Sequence, residues 1–319
     1  MEEINKLELH YFLDNDSHSI DAFVRNKCEA EILLITKELF IELGGDVSIL
    51  SEIPTEGGFR ELWKFIKKNQ AQLNVIGVIV IPIVIAFMTK APANERKDAL
   101  DTYNSYVDSV ENSIKLRELL KKIEAERTEG KDTALLVEEC VNYFNHQIKL
   151  VKHRSNFYHH LEGYHDVSKI STTTYLDDKV VGKENEVERK DFHKFILTTN
   201  ELKPQTISNA IIEVISPVLK NETYKWRGVY EGGPISFNMR DTLYKNSIIK
   251  GQTIFKSGLY IECIMEIKKR VNDIGIVENY DYSVATVLGI VTDGKTIETE
   301  QGKRYKRNQK DLGNQGKLF

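Results

Sequence analysis

Cysteine, proline and tryptophan are scarce in this sequence, and what is missing closes several interpretations. Three cysteines, Cys28, Cys140 and Cys263, lie far apart with no CxxC pair. That excludes a disulfide framework and a zinc knuckle, and it points to a reducing compartment. With only 6 prolines and 19 glycines in 319 residues, a collagen-like chain is excluded too. Excess positive charge is absent: the net charge is -4, so any nucleic-acid binding must come from a local patch. There is no HExxH, no GxxxxGK[ST] loop and no GxGxxG. Without a paired nucleophile and base, no enzyme, cofactor or metal is expected. What is present, 41% hydrophobic and 29% charged residues, is the make-up of a folded chain of more than one domain.

One apolar run dominates. Between Val75 and Met88 no side chain is charged or hydrogen-bonding, over 14 residues. As a helix this run spans about 21 Å, short of a bilayer core of about 30 Å. Extending it to 70–89 places Gln72, Asn74 and Thr89 at membrane depth, where neighbouring copies would have to satisfy them. Lys64, Lys67 and Lys68 precede it and Lys90, Arg96 and Lys97 follow, as cations that reach for head groups do. Pro82 speaks against a central strand, and inside a soluble helix it would cost about 3 kcal/mol. Residues 71–90 are therefore expected to enter the membrane, with Asn74, Gly77, Pro82 and Phe87 as its membrane or pore positions. A buried core helix is the alternative. A cleaved signal peptide is not expected, since the run follows some 70 residues of folded-looking sequence and MEEINKLELH is acidic.

The segment 1–70 reads as a small α/β module. Leu7 to Leu13 alternates like a strand, Ile20 to Leu43 has helical spacing, Val47 to Ile53 reads as a strand and Phe59 to Lys68 as a helix. Asp14, Asp16 and Asp21 suit the start of a helix better than a metal site, having no EF-hand spacing. Gly57-Gly58 suits a turn better than a phosphate loop.

Residues 91–168 carry two amphipathic stripes, one from Tyr103 to Ile123 and one from Leu135 to Val151, separated by RTEGKDT. This pattern predicts a helical hairpin. Its end is basic and rich in histidine: Lys149, Lys152, His153, Arg154, Asn156, Tyr158, His159 and His160 occur with no acid before Glu162. Cations for phosphates beside rings for unstacked bases suit single-stranded nucleic acid. A solvated helix end and a metal site remain as other readings.

From 169 to 299 short β-rich segments alternate with turn signals such as Glu231-Gly232-Gly233-Pro234, so a small antiparallel barrel or sandwich is expected. In the clearest of them Leu259, Ile261, Cys263, Met265 and Ile267 face one way and Tyr260, Glu262 and Glu266 the other. Lys225, Trp226, Arg227, Tyr230, Arg240 and Tyr244 offer rings beside cations and are candidates for stacking bases. The same pattern also fits a core Trp226 with solvated neighbours. The tail 300–319 has six Lys or Arg against two acids, which fits a solubilising tail or a contact with nucleic acid or anionic lipid.

The expected fold class is thus α+β: an N-terminal α/β module, one short membrane segment, a helical hairpin and a C-terminal antiparallel β domain. DNDSHSIDAFVRNKCEAE, then PTEGGFRELWKFI, the apolar run, HRSNFYHH, and ISPVLKNETYKWRGVYEGGPISFNMRD together resemble bacterial antiphage transmembrane effectors, most of all those of the Hailong type. The resemblance implies a homo-oligomer in the bacterial inner membrane with cytoplasmic domains. It implies that single-stranded DNA oligomers, made by a partner nucleotidyltransferase, hold the effector silent, and that their loss releases it to disrupt membrane lipid. A scaffold, soluble or membrane-associated, that recruits a protein partner through the β domain is the alternative.

Overall fold

The computed structural model describes residues 6–14, 19–42, 47–52, 59–67, 79–92, 110–176, 179–218, 224–252, 255–256, 258–292 and 295–315. It is α+β and divides into two compact units, one of residues 1–200 with 271–276 and one of residues 201–270 with 277–319. The expected domain boundary near 168 therefore falls instead after Asn200, and the strands around it belong to the first unit.

The first unit is built on a five-stranded antiparallel sheet. β1 (Lys6–Leu13) lies between β3 (Phe59–Lys67) and β4 (Val167–Leu176), with β2 (Val47–Glu52) and β5 (Lys179–Glu188) at the edges. Alternate residues of a strand face opposite sides. Leu7, Leu9 and Tyr11 are buried in the core with Trp63, Phe65 and Ile170 of the flanking strands. Helix α1 (Ala22–Glu42) contributes Cys28, Ile32, Ile35, Leu39 and Phe40 to that core.

Residues 59–67, expected as a helix, form a strand. Its core-facing row is Phe59, Glu61, Trp63 and Phe65; the Glu61 carboxylate is tolerated there because Arg25 of α1 binds it with both Nε and Nη2. The other sheet face is charged: Lys6 meets Glu52 at 2.6 Å, and Arg60 and the Tyr175 hydroxyl donate to Glu8 at 3.0 and 3.1 Å.

The apolar run is described from residue 79 onward. There it forms helix α2 (Ile81–Thr89), whose Ile81, Ile83, Val84, Ile85, Ala86, Phe87 and Met88 are buried in the first unit. Among the described residues no helix is long and apolar enough to cross a membrane. The expected membrane segment is, over this half, a core helix. Pro82 is the second residue of this helix, directly after the π-helical turn at Ile79 and Val80. Asn74 and Gly77 lie outside the described residues.

The hairpin region holds α3 (Val110–Thr128), α4 (Ala134–Phe144) and α5 (Ile148–Glu162), the last two separated by a turn at 145–147. After β5, the short α6 (Arg189–Phe192) lets Arg189 donate to the carbonyls of Leu161, Glu162, Tyr164 and Val167 at the end of α5.

In the second unit the expected antiparallel barrel is closed, with one parallel pair. β6 (Gln205–Ser216), β7 (Trp226–Tyr230), β8 (Gly233–Met239), β9 (Tyr260–Val271) and β10 (Val277–Thr292) pair in the order β10-β8-β7-β6-β9-β10. β8 and β10 run parallel. Helix α7 (Thr242–Ile249) connects β8 to β9, and β11 (Lys295–Glu298) extends the sheet from β10. Ala210, Ile212, Val214, Trp226, Phe237, Ile261, Cys263, Met265, Val284 and Val287 fill the interior. The β7–β8 hairpin turns on Glu231 and Gly232, both at positive φ (50° and 78°), as a two-residue turn matched to strand twist requires. The basic tail is not irregular: it begins as helix α8 (Glu300–Gln315).

Candidate nucleic-acid interface

The basic stretch of α5 is an interior element. Lys152, His153, Arg154 and Tyr158 are 6%, 2%, 2% and 0% exposed. Each has a partner within the first unit. Lys152 donates to Asn200 at 3.1 Å and stands 3.5 Å from Asp273, and His153 Nδ1 lies 2.6 Å from Glu31. Lys149 meets Glu38 at 2.6 Å. Arg154 and Tyr158 bind the Phe87 and Met88 carbonyls at the end of α2. A polyanion cannot reach the four buried side chains, so the expected interface on this helix is not formed; of the eight residues named on this stretch only His159 is exposed.

Two histidines that resist charging sit in this unit. Burial first, then the Arg60 cation, lowers the pKa of His10 from its ordinary value of 6.5. Burial first also lowers that of His160, against the opposing pull of Glu31. The unfolded chain then takes up protons at a pH where the folded one resists them. Stability present above about pH 6.5 is therefore lost as pH falls through that value toward the depressed folded pKa. Exchanging both for asparagine is expected to flatten the loss of first-unit stability between pH 7 and pH 5, measured by urea unfolding at each pH. An unchanged slope would assign the acid sensitivity to other groups.

On the barrel the picture differs. Trp226 is 1% exposed, packed with Phe237 and Tyr244 in the interior, so neither Trp226 nor Tyr244 is a stacking platform. Lys225 is paired with Asp281 at 2.7 Å, and Arg240 reaches Glu266 at 3.3 Å. Arg227 is exposed and has no ion-pair or hydrogen-bond partner among the described residues.

Strand register places these side chains in rows on the outer face. Ser216, Arg227 and Ser236 form one row across β6, β7 and β8. Tyr260, Glu213, Val229 and Pro234 form the next, running from β9 to β8. Neighbouring strands are about 4.8 Å apart and alternate residues about 7 Å, so the two rows make a shallow strip of roughly 10 by 7 Å at its core. Tyr260 is 39% exposed and Tyr224, just before β7, is 67% exposed. The strip offers a ring and an apolar ledge for bases beside a guanidinium flanked by hydroxyls for phosphate. Glu213 repels phosphate, so a bound strand would run its backbone along the Arg227 row with its bases toward Tyr260. Ser216, Ser236 and Tyr260 were not among the expected site residues. Alternation in β9 already placed Tyr260 on the outer face, whereas the serines become visible only through strand register.

The pairing of the first barrel strand with the second and fourth, and of the third with the fifth in parallel, is that of the OB-fold. Known OB-folds bind oligonucleotides or oligosaccharides on the face of their second and third strands, but fold alone does not fix function. The chain is thus an α+β protein whose second unit is a closed five-stranded barrel. No family model matches it, and neither a curated protein nor a solved structure does.

Proposed function

We propose that this protein binds single-stranded oligonucleotides on the outer face of its barrel and is an oligomeric membrane effector of antiphage defence controlled by that ligand. The observation that carries the binding is Arg227, exposed between Ser216 and Ser236 and without a hydrogen-bond or ion-pair partner among the described residues, with Tyr260 in the next row two strands away. The effector part of the reading rests on the resemblance and on the apolar run.

In the proposed cycle the oligonucleotide-bound protein is silent with α2 inside the first unit. Destruction of the oligonucleotide, the product of a partner nucleotidyltransferase, lets the run that includes α2 reach the inner membrane. Such control requires the ligand to favour the silent arrangement over the active one, not merely to bind tightly.

Anisotropy titration of a labelled single-stranded DNA tests the binding. Arg227→Glu is expected to weaken it at least tenfold, and Tyr260→Ala by the equivalent of about 1–3 kcal/mol for a stacked base. Full affinity in both variants would remove the barrel face from the reading. Dye leakage from vesicles, with and without oligonucleotide, tests the effector step: leakage suppressed by DNA is expected, and leakage indifferent to DNA contradicts it.

Exposed Ile211 and Ile215, at 57% and 54% on the outward face of β6, favour a second reading, in which the barrel recruits a protein. There an oligonucleotide would not compete with the recruited partner.

A further inference from the structure

Helix α8 is held to the barrel at its start and leaves it within two turns. Thr299 caps it by accepting from Gly302 N at 3.0 Å while donating to the carbonyls of Val287 and Leu288. Gln301 donates to both oxygens of the buried Asp241 at 2.9 and 3.2 Å. At Gly302 the helix lies so close to β10 that a Cβ would stand 2.0 Å from the Leu288 carbonyl oxygen. Past this point only Tyr305 is half-buried through residue 309; Lys303, Arg304, Lys306 and Arg307 are exposed. Lys303 is paired with Glu300 and Lys306 with Glu298. Arg304 and Arg307, one turn apart, have no hydrogen-bond or ion-pair partner among the described residues.

This distribution works against the helix. Four cations crowd its first half, the end at which the macrodipole is already positive, and like charges three or four residues apart repel by about 0.2–0.5 kcal/mol per pair. Glu300 in the first turn and Glu298 just before it each hold one lysine, and Glu300 also attracts Arg304 and Arg307, so the acids present are outnumbered by the cations. The apolar side chain nearest the cations, Tyr305, is partly covered, so this stretch has no apolar face with which to lie in a bilayer. What suits it is a flexible chain of phosphates.

We infer that α8 is a phosphate-contacting arm, in which Arg304 and Arg307 bind the backbone of a nucleic acid outside the barrel strip. The inference deepens the binding reading above by assigning phosphate binding to a second element. This binding is blind to base identity, because guanidinium-to-phosphate bonds position a strand without reading it.

The test is the salt dependence of binding to a labelled oligothymidylate of about 20 nucleotides, longer than one OB barrel covers, in the full chain. For a single strand, each phosphate that the protein ceases to neutralise lowers the slope of log Kobs against log salt by about 0.7. Arg304→Gln/Arg307→Gln is expected to reduce the slope by about 1.4, with the same reduction on oligodeoxyadenylate. Arg227→Gln serves as the separate arm for the barrel. An unchanged slope in the double variant overturns the inference, and if that variant instead fails to co-sediment with phosphatidylglycerol vesicles that the unaltered chain binds, the arm is a lipid contact. A reduced slope in the double variant with none in Arg227→Gln leaves the arm standing and removes the barrel strip. A reduction in Arg227→Gln alone does the reverse. No binding by the unaltered chain at low salt overturns both.

Discussion

Replacing Arg154 by alanine is expected to destabilise the first unit by about 3–5 kcal/mol, the range for emptying a large, fully buried site. Its guanidinium donates to the Phe87 carbonyl at 2.9 Å and to Asn145 Oδ1 at 2.8 Å, and lies 4.1 Å above the Phe87 ring. Among the described residues no carboxylate accompanies it. Burial pulls its pKa down to about 10, which leaves it a cation at neutral pH. The carbonyl end of α2, negative by its dipole, and the aromatic face are its counter-charge. Alanine leaves a cavity and two acceptors without donors. Methionine keeps most of the volume and removes the buried charge, so Arg154→Met is expected to cost about 1–2 kcal/mol, mainly for the acceptors left unpaired. Hydrogen exchange of peptides covering 79–90 and 148–162 measures both. Protection unchanged in the alanine variant would show that α2 is held by its apolar face alone.

Asp241→Ala is expected to cost the barrel about 2–4 kcal/mol and to free α8. The carboxylate is 6% exposed and accepts from Tyr244 N at 2.9 Å, from Val287 N at 2.8 Å and from Gln301. It therefore caps α7, satisfies a strand amide and anchors the terminal helix at once. Removing a cap costs about 1 kcal/mol, and an orphaned buried amide about 1–3 more. Amides of 242–249 and 300–309 should exchange faster together. If only the α7 amides respond, the Thr299 cap and the close approach at Gly302 suffice to hold α8.

The barrel was legible where one face of a strand is apolar and the other is not. In β9 the expected row from Leu259 to Ile267 is buried at every alternate position, and Glu231-Gly232 marked the β7–β8 hairpin. Strand β3 reads as a helix in the sequence because Glu61 interrupts the apolar row on its core side; the residue that makes this tolerable, Arg25, is 36 positions away. The same limit explains the apolar run. A stretch such as IPIVIAFM suits lipid or a protein interior alike, and its partner in the first unit, Arg154, comes 67 residues later. That arginine sits in a stretch whose cations and rings, taken without their partners, describe a nucleic-acid surface. Of the cationic candidates, Arg227 is exposed and has no partner among the described residues, Lys225 and Arg240 are exposed but paired, and the α5 residues Lys152, His153 and Arg154 are taken up by interior partners.

The division of the chain sets an order of events at the ribosome. The first unit includes residues 271–276, which come after the 201–270 segment of the second. Asn156 and Lys152 of α5 use this late hexapeptide, bonding the Asp273 carbonyl and pairing with its carboxylate. At about 5–20 residues per second, the first unit waits roughly 4–15 s after Asn200 is made before its last piece exists. During that interval Lys152 is without Asp273 and the nascent unit is incomplete.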